Sequence, residues 1–331
     1  MFPSPKLALV IAGNFSEDED NADLGVLCSS LPDELASCYE IKEWSCQPST
    51  HYSMAFTLAM EEMFESQIAN GCAGIVVLCG SGVMEEMAYF VNLLWRLPNP
   101  VIFANLMAES GKDLHMGAVS LQSAMKAALS SETRDKGVLI CSGREFFSAN
   151  DAMLMDPALQ EKAFIAPLNG SVACMIDNDI KFFKEPKRPA FLARRPKKIP
   201  YVEIMWASLG GGEQLLSSLA SNRELGGLVL AGFSTGNVPP SWVPPVRNIL
   251  RSRVPVVITS RCPRCVVHET NECEGSFVKL TEMGVIPGPG LSPLNARIRL
   301  SIGISAGLTE KGLRLYMLDQ PLEGDMREFY R

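Results

Sequence analysis

Residues 74–95, GIVVLCGSGVMEEMAYFVNLLW, decide the fold. Gly74–Leu78 is a short apolar run rich in β-branched residues, which reads as a buried strand. Cys79-Gly80-Ser81-Gly82 interrupts it as a turn. From Val83 the apolar residues Met84, Met87, Ala88, Val91, Leu94 and Trp95 recur at helical spacing. Glu85 and Glu86 are expected in the first helical turn, where the helix dipole favours carboxylates. A tight turn between a strand end and a helix start is where open α/β sheets hold ligands.

The same alternation extends outward. Leu7–Ala12, Val101–Asn105 and Gly137–Cys141 read as strands, and Tyr52–Gln67 and Leu114–Leu129 as helices. This order predicts a parallel sheet covered on both faces with right-handed crossovers. Between Lys184 and Lys198 three prolines and seven basic residues suppress regular structure. That stretch is expected to be a solvated linker, with docking of an acidic partner surface as the other reading. Three parts are expected: an N-terminal α/β domain over residues 1–185, a basic proline-rich linker over 186–199, and a C-terminal α/β domain over 200–331. In the last part Tyr201–Ala207, Gly227–Ala231 and Pro255–Ser260 read as strands. Gly212–Ala220, Pro245–Arg251 and Asn295–Ile304 read as helices, the last as the final major one.

The 331 residues fit two ordinary domains, and a 47% apolar share suits a sizeable core. A net charge of −7 argues against a general nucleic-acid binder. No apolar run is long enough to span a bilayer, and no cleavable export signal is read at the N-terminus. Several of the ten cysteines, among them Cys79, Cys141 and Cys174, sit in strand-like runs as small apolar residues. Free thiols imply an intracellular, reducing compartment, cytoplasm or mitochondrial matrix.

Many segments, in order, resemble the bacterial-type L-asparaginases. Glu85–Phe90 is similar to that family's MEETAYF helix, and Pro100-Val101-Ile102 with Asn105–Ser110 to its PVV…GAMRPS. Asp113 with Gly117–Ala127, Lys136–Ile140 and Ser148-Ala149 follow its next segments. In the second half Pro200–Ile204, Gly227–Pro240 and Pro255–Pro263 are similar to PxVDIV, GIVLAGxGxGNxP and PVVxSSRxP. The resemblance implies a two-domain asparaginase-like α/β fold: a larger N-terminal domain on a mixed, largely parallel sheet and a smaller C-terminal domain on a parallel sheet. It also implies a homo-oligomer or a subunit of a protein complex.

The family's chemistry, carried over by position, meets substitutions. Its threonine nucleophile, in a TGGT motif, falls at Phe15 in Ala12-Gly13-Asn14-Phe15, with Ser16 adjacent. Its Thr-Asp pair falls at Ser81 and Gly82, so a hydroxyl is kept and the acid is lost. Its lysine falls at Leu154. Ser45, Gln47 and Ser49 are the candidates for the loop that holds a substrate carboxylate. Ligand contacts are expected from Gly13, Gly80, Ser81 and Asn237. Losing one member of a hydrolase triad costs about 10⁴ in rate. The reading is therefore a catalytically inactive family member serving as a structural or scaffolding subunit, for instance of a mitochondrial assembly. The alternatives are a divergent amidohydrolase that frees ammonia from a small amide through Ser16 or Ser81, and an amino-acid-binding sensor.

Other motifs are read structurally. Ser81 is expected to cap the following helix, and Gly210-Gly211-Gly212 to form a turn rather than a phosphate loop. Cys262, Cys265, His268 and Cys273 have the composition of a zinc site, set against free thiols as the default. His115 is read as a packing or surface residue. No cofactor signature is read.

Overall fold

The computed structural model describes residues 6–13, 22–106, 114–270 and 272–331. Phe15, Ser16, Asp113 and the side chain of His115 lie outside the described residues. By its internal contacts the chain divides into two units, Met1–Pro189 and Ala190–Arg331.

The first unit carries strands β1 (Leu7–Ala12), β2 (Tyr39–Ser45), β3 (Gly74–Cys79), β4 (Val101–Asn105), β5 (Val138–Ser142), β6 (Glu145–Ser148), β7 (Met153–Leu154), β8 (Phe164–Ile165), β9 (Ala173–Ile176) and β10 (Asp179–Phe182). Its helices are α1 (Ala22–Ser29), α2 (Asp33–Ala36), α3 (Met54–Ala69), α4 (Ser81–Leu94) and α5 (Leu114–Leu129). Eight strands form one sheet in the order β10-β9-β6-β5-β4-β3-β1-β2. From β2 to β5 all pairs are parallel, and β6, β9 and β10 add antiparallel strands. β7 and β8 pair separately as a short ribbon.

Period-two alternation divides the central strands between two cores. Leu7, Leu9, Ile11, Val76, Leu78, Ile102 and Leu139 pack with Leu121, Ala124 and Met125 of α5. Ala8, Val10, Val77, Phe103 and Ile140 pack with Met60 and Phe64 of α3 and with Met84, Met87 and Val91 of α4. Both faces are covered, so these strands read as unbroken apolar runs.

The second unit carries β11 (Tyr201–Trp206), β12 (Leu225–Gly232), β13 (Val256–Ser260) and β14 (Ile286–Pro287), parallel and in sequence order. Its helices are α6 (Glu213–Ala220), α7 (Val243–Arg251), α8 (Phe277–Glu282), α9 (Pro293–Ser305), α10 (Glu310–Met317) and α11 (Met326–Phe329). Leu216, Val246 and Ile249 cover one face against Leu228, Leu230 and Ile258. The expected α/β class is borne out, with a larger mixed sheet followed by a smaller parallel one.

Five local expectations are corrected. The helix after β3 begins at Ser81, not Val83, with Gly80 as its N-cap. Ser81 is thus inside the helix and is not its cap, and Glu85 and Glu86 lie beyond the first turn. Asn295–Ile304 corresponds to α9, and α10 follows it as a further helix. Finally, 186–199 has no helix or strand, but it is less solvated than its charge suggests. Pro186, Pro189, Leu192 and Pro196 are buried, because the prolines and Leu192 supply apolar surface between the charges. The backbone here also finds fixed partners: Ala193 N donates to the Tyr330 hydroxyl at 2.8 Å, and Arg188 donates to the Trp95 carbonyl at 2.6 Å.

Candidate active site

In the strand order 2-1-3-4-5, the chain runs outward from β1 on one side and returns on the other, so the switch point lies between β1 and β3. Open α/β sheets hold ligands at the carboxyl ends of such strands. Here those ends are close together by register: Ala12 pairs with Cys79 on one side and with Ser45 on the other. Gly13 N donates to the Ser45 carbonyl at 2.9 Å, and Gly13 has φ +147°, a conformation that glycine adopts without strain.

Beyond β3 the backbone turns directly into α4. A Cβ on Gly80 would lie 2.4 Å from Ser49 Oγ, so the absence of a side chain lets the turn Ser49–His51 seat against the start of α4. Gly13, Gly80, Ser81, Ser45 and Ser49 therefore belong to one cluster at the carboxyl ends of β1, β2 and β3. Tyr52 stands beside it: its hydroxyl donates to the Gln47 carbonyl at 2.9 Å, and its ring stacks on Phe56 at 4.0 Å. Burial pushes the Tyr52 phenol up, while a hydrogen bond with Ser45 acts in the opposite direction. Burial pushes the Cys79 thiol up to about 12, so it is no nucleophile at neutral pH.

Ser81 and Glu85 stand four residues apart on α4, on one helix face, with Cβ atoms about 6 Å apart in such a pair. The Glu85 carboxylate accepts a hydrogen bond from Leu154 N in β7 at 2.6 Å. Burial raises Glu85 from 4.5 to about 7, and the Leu154 N–H bond offsets part of that. Leu154 itself packs against the apolar core on the α4 side of the sheet. The sequence pattern suggested only a dipole role for Glu85. Its spacing from Ser81 was a visible signal, but its hydrogen bond to β7 was not.

Asn237 lies in the second unit, where its Oδ1 accepts from Phe277 N at 3.1 Å and so caps the approach to α8. Among the described residues no group of three or more His, Cys, Asp or Glu is placed to hold a metal ion. His268 Nδ1 donates to the Val266 carbonyl at 2.8 Å, and Cys273 lines a groove of mixed charge with Arg247, Lys279, Glu272, Glu274 and Glu282. Gly212 is the N-cap of α6 in a turn, as expected.

The asparaginase N-terminal domain model matches residues 11–188, and the glutaminase/asparaginase C-terminal domain model matches residues 201–317. The chain belongs to the asparaginase/glutaminase family. It is 26% identical to a probable L-asparaginase of Deinococcus radiodurans, over 94% of this chain and 96% of that one. An L-asparaginase of Bacillus licheniformis is 25% identical over 85% of each chain. In fold the chain is similar to the crystal structure of a probable cytoplasmic L-asparaginase from Campylobacter jejuni, with a TM-score of 0.82 and 22% identity over 95% of this chain and 99% of that one.

Proposed function

We propose that this chain is a divergent amidohydrolase that releases ammonia from a small amide, with Ser81 as nucleophile and Glu85 as proton acceptor. The observation that supports this reading is the pair itself: a hydroxyl and a half-buried carboxyl of pKa about 7 share one face of α4 at the switch point of the sheet. A base with a pKa near the working pH is matched to proton transfer. Glu85 Oε2 is held by Leu154 N, which leaves Oε1 to take the Ser81 proton directly or through one water. The Ser81 oxygen then bonds to the amide carbon. The N–H groups in the first turn of α4 face outward from the helix and can stabilise the developing oxyanion. Collapse expels ammonia with the proton from Glu85, and water releases the acyl group by the reverse path. The relatives, named as L-asparaginases, support the same reaction class.

A second reading has its own observation. Gly82 and Leu154 stand where the resemblance expects the acid and the amine, and Leu154 packs, partly buried, against an apolar core. This favours a non-catalytic structural subunit, alone as an oligomer or within a larger assembly. Ammonia release from asparagine and glutamine distinguishes the two. Release that Ser81→Ala and Glu85→Gln each reduce by about 10²–10⁴ supports catalysis at this pair. No release above the enzyme-free rate removes it and leaves the structural reading. A thermal-shift screen with the same amino acids then separates a sensor from a scaffold, because a ligand at about 100 Kd stabilises by about 2.7 kcal/mol.

A further inference from the structure

We propose that Cys262 and Cys265 form a reversible intramolecular disulfide, a redox-modification site at the carboxyl end of the second sheet. This does not depend on the catalytic reading. Cys262-Pro263-Arg264-Cys265 begins one residue beyond β13, and Cys265 N donates to the Cys262 carbonyl at 3.1 Å. This hydrogen bond defines a β-turn with the two cysteines at its ends, and such ends have Cα atoms less than about 7 Å apart. A disulfide needs about 4.4–6.8 Å between Cα atoms, so the turn meets the requirement without moving the backbone far.

Access and anchoring support the same conclusion. Both thiols are free, with Cys262 exposed and Cys265 partly so. Cys265 Sγ makes a long contact of 3.7 Å to the Val266 carbonyl, which costs little to give up. The turn is fixed on both sides. Before it, Arg261 N donates to the Gly232 carbonyl at 2.9 Å, the Arg261 guanidinium lies 4.6 Å over the Phe233 ring, and Cys262 N donates to Ser260 Oγ at 3.0 Å. After it, His268 N donates to the Thr235 carbonyl at 3.1 Å. Two thiols held at the ends of an anchored four-residue turn have a small loop-closure cost, so the second displacement outcompetes capture by another molecule.

The oxidant is a small-molecule disulfide. The thiolate of one cysteine attacks it, forming a mixed disulfide and expelling one small thiol. The second cysteine then attacks the protein-bound sulfur and expels the other small thiol. The protein loses two electrons and two protons, and the oxidant becomes two thiols.

The test equilibrates the folded full-length chain in reduced and oxidised glutathione over a range of ratios, followed by acid quench, alkylation and peptide mass mapping. The expected result is a Cys262–Cys265 link, about 2 Da lighter than the dithiol, which forms and reverses with the ratio. Cys262→Ser and Cys265→Ser each abolish the link and leave a glutathione adduct on the remaining cysteine, while Cys273→Ser leaves it unchanged. Failure to form the link at any ratio overturns the proposal, as does a link from either cysteine to Cys273. Far-UV circular dichroism of each variant verifies that the fold is intact. Because no amide enters this measurement, its failure is independent of any failure of the catalytic reading.

Discussion

The Glu85 carboxylate takes the backbone N–H of Leu154, 69 positions further along the chain, at 2.6 Å, and so ties α4 to the β7–β8 ribbon. Desolvation of this carboxyl, which the Leu154 N–H bond only partly offsets, gives folding a pH dependence. The folded pKa of Glu85 is about 7 against an ordinary 4.5, so between those values the folded chain holds a proton that the unfolded chain has released. Stability from this group is therefore full below about pH 4.5, falls as pH rises toward 7, and is flat above, with a limiting slope of about 1.4 kcal/mol per pH unit. Urea unfolding midpoints at pH 5 and pH 8 read this directly. The drop across that interval should be smaller in Glu85→Gln than in the unsubstituted chain.

The same group sets an activity profile under the proposed mechanism. A base must be ionised to act, so kcat/KM for ammonia release should fall about tenfold per pH unit below about pH 7 and level off above it. A profile that is flat from pH 5 to 8 would remove Glu85 as the base, even if ammonia is released.

Gly80 and Ser49 give a steric prediction that does not involve chemistry. At φ −61° and ψ 138° the Gly80 backbone accepts any residue, so only the neighbour at 2.4 Å resists a methyl group. Gly80→Ala should cost about 1–3 kcal/mol, the usual range for overpacking. Ser49→Ala removes the nearer atom but leaves its Cβ at 3.1 Å, so it should recover part of that loss. A double-mutant cycle by urea unfolding should show coupling of about 0.5 kcal/mol or more, and additive effects would mean that the turn moves aside freely.

The parts of the fold that were legible in sequence share one property. β1, β3, β4 and β5 are buried on both faces, so their composition alone marks them as strands. β2 went unread because it is the edge strand, and Tyr-Glu-Ile-Lys-Glu-Trp-Ser places charges where a central strand has aliphatics. β6, β9 and β10 are only four residues long and derive their identity from antiparallel partners that the sequence does not show. The start of α4 was misplaced because Ser81 and Gly82 are poor helix formers, and packing of α4 against α3 and β5 outweighs that preference. In the candidate site, Gly13, Gly80 and Ser81 were legible as loop chemistry next to strands. The role of Glu85 was not, because its partner is a backbone N–H in a ribbon whose position depends on the tertiary fold.

Arg299 and Asp319 form an ion pair in the second unit, with the Arg299 side chain only 4% exposed and its guanidinium 4.7 Å over the Tyr316 ring. Asp319 Oδ1 also accepts from Ala190 N at 3.0 Å, so one carboxylate serves both the helix α9 and the start of the second unit. Two substitutions separate these roles. Asp319→Asn keeps an acceptor for Ala190 and a residue type that tolerates the observed φ of +54°, but it leaves the buried guanidinium without its counter-charge. It should cost about 3–5 kcal/mol in urea unfolding, and Arg299→Met should cost less because it removes the charge that needs a partner. Asp319→Gly accepts the same φ and removes both interactions. It alone should speed tryptic cleavage after Arg194, since the backbone at Ala190 loses its anchor. If Asp319→Asn and Asp319→Gly are cleaved at equal rates under native conditions, the Ala190 bond does not hold that segment in place.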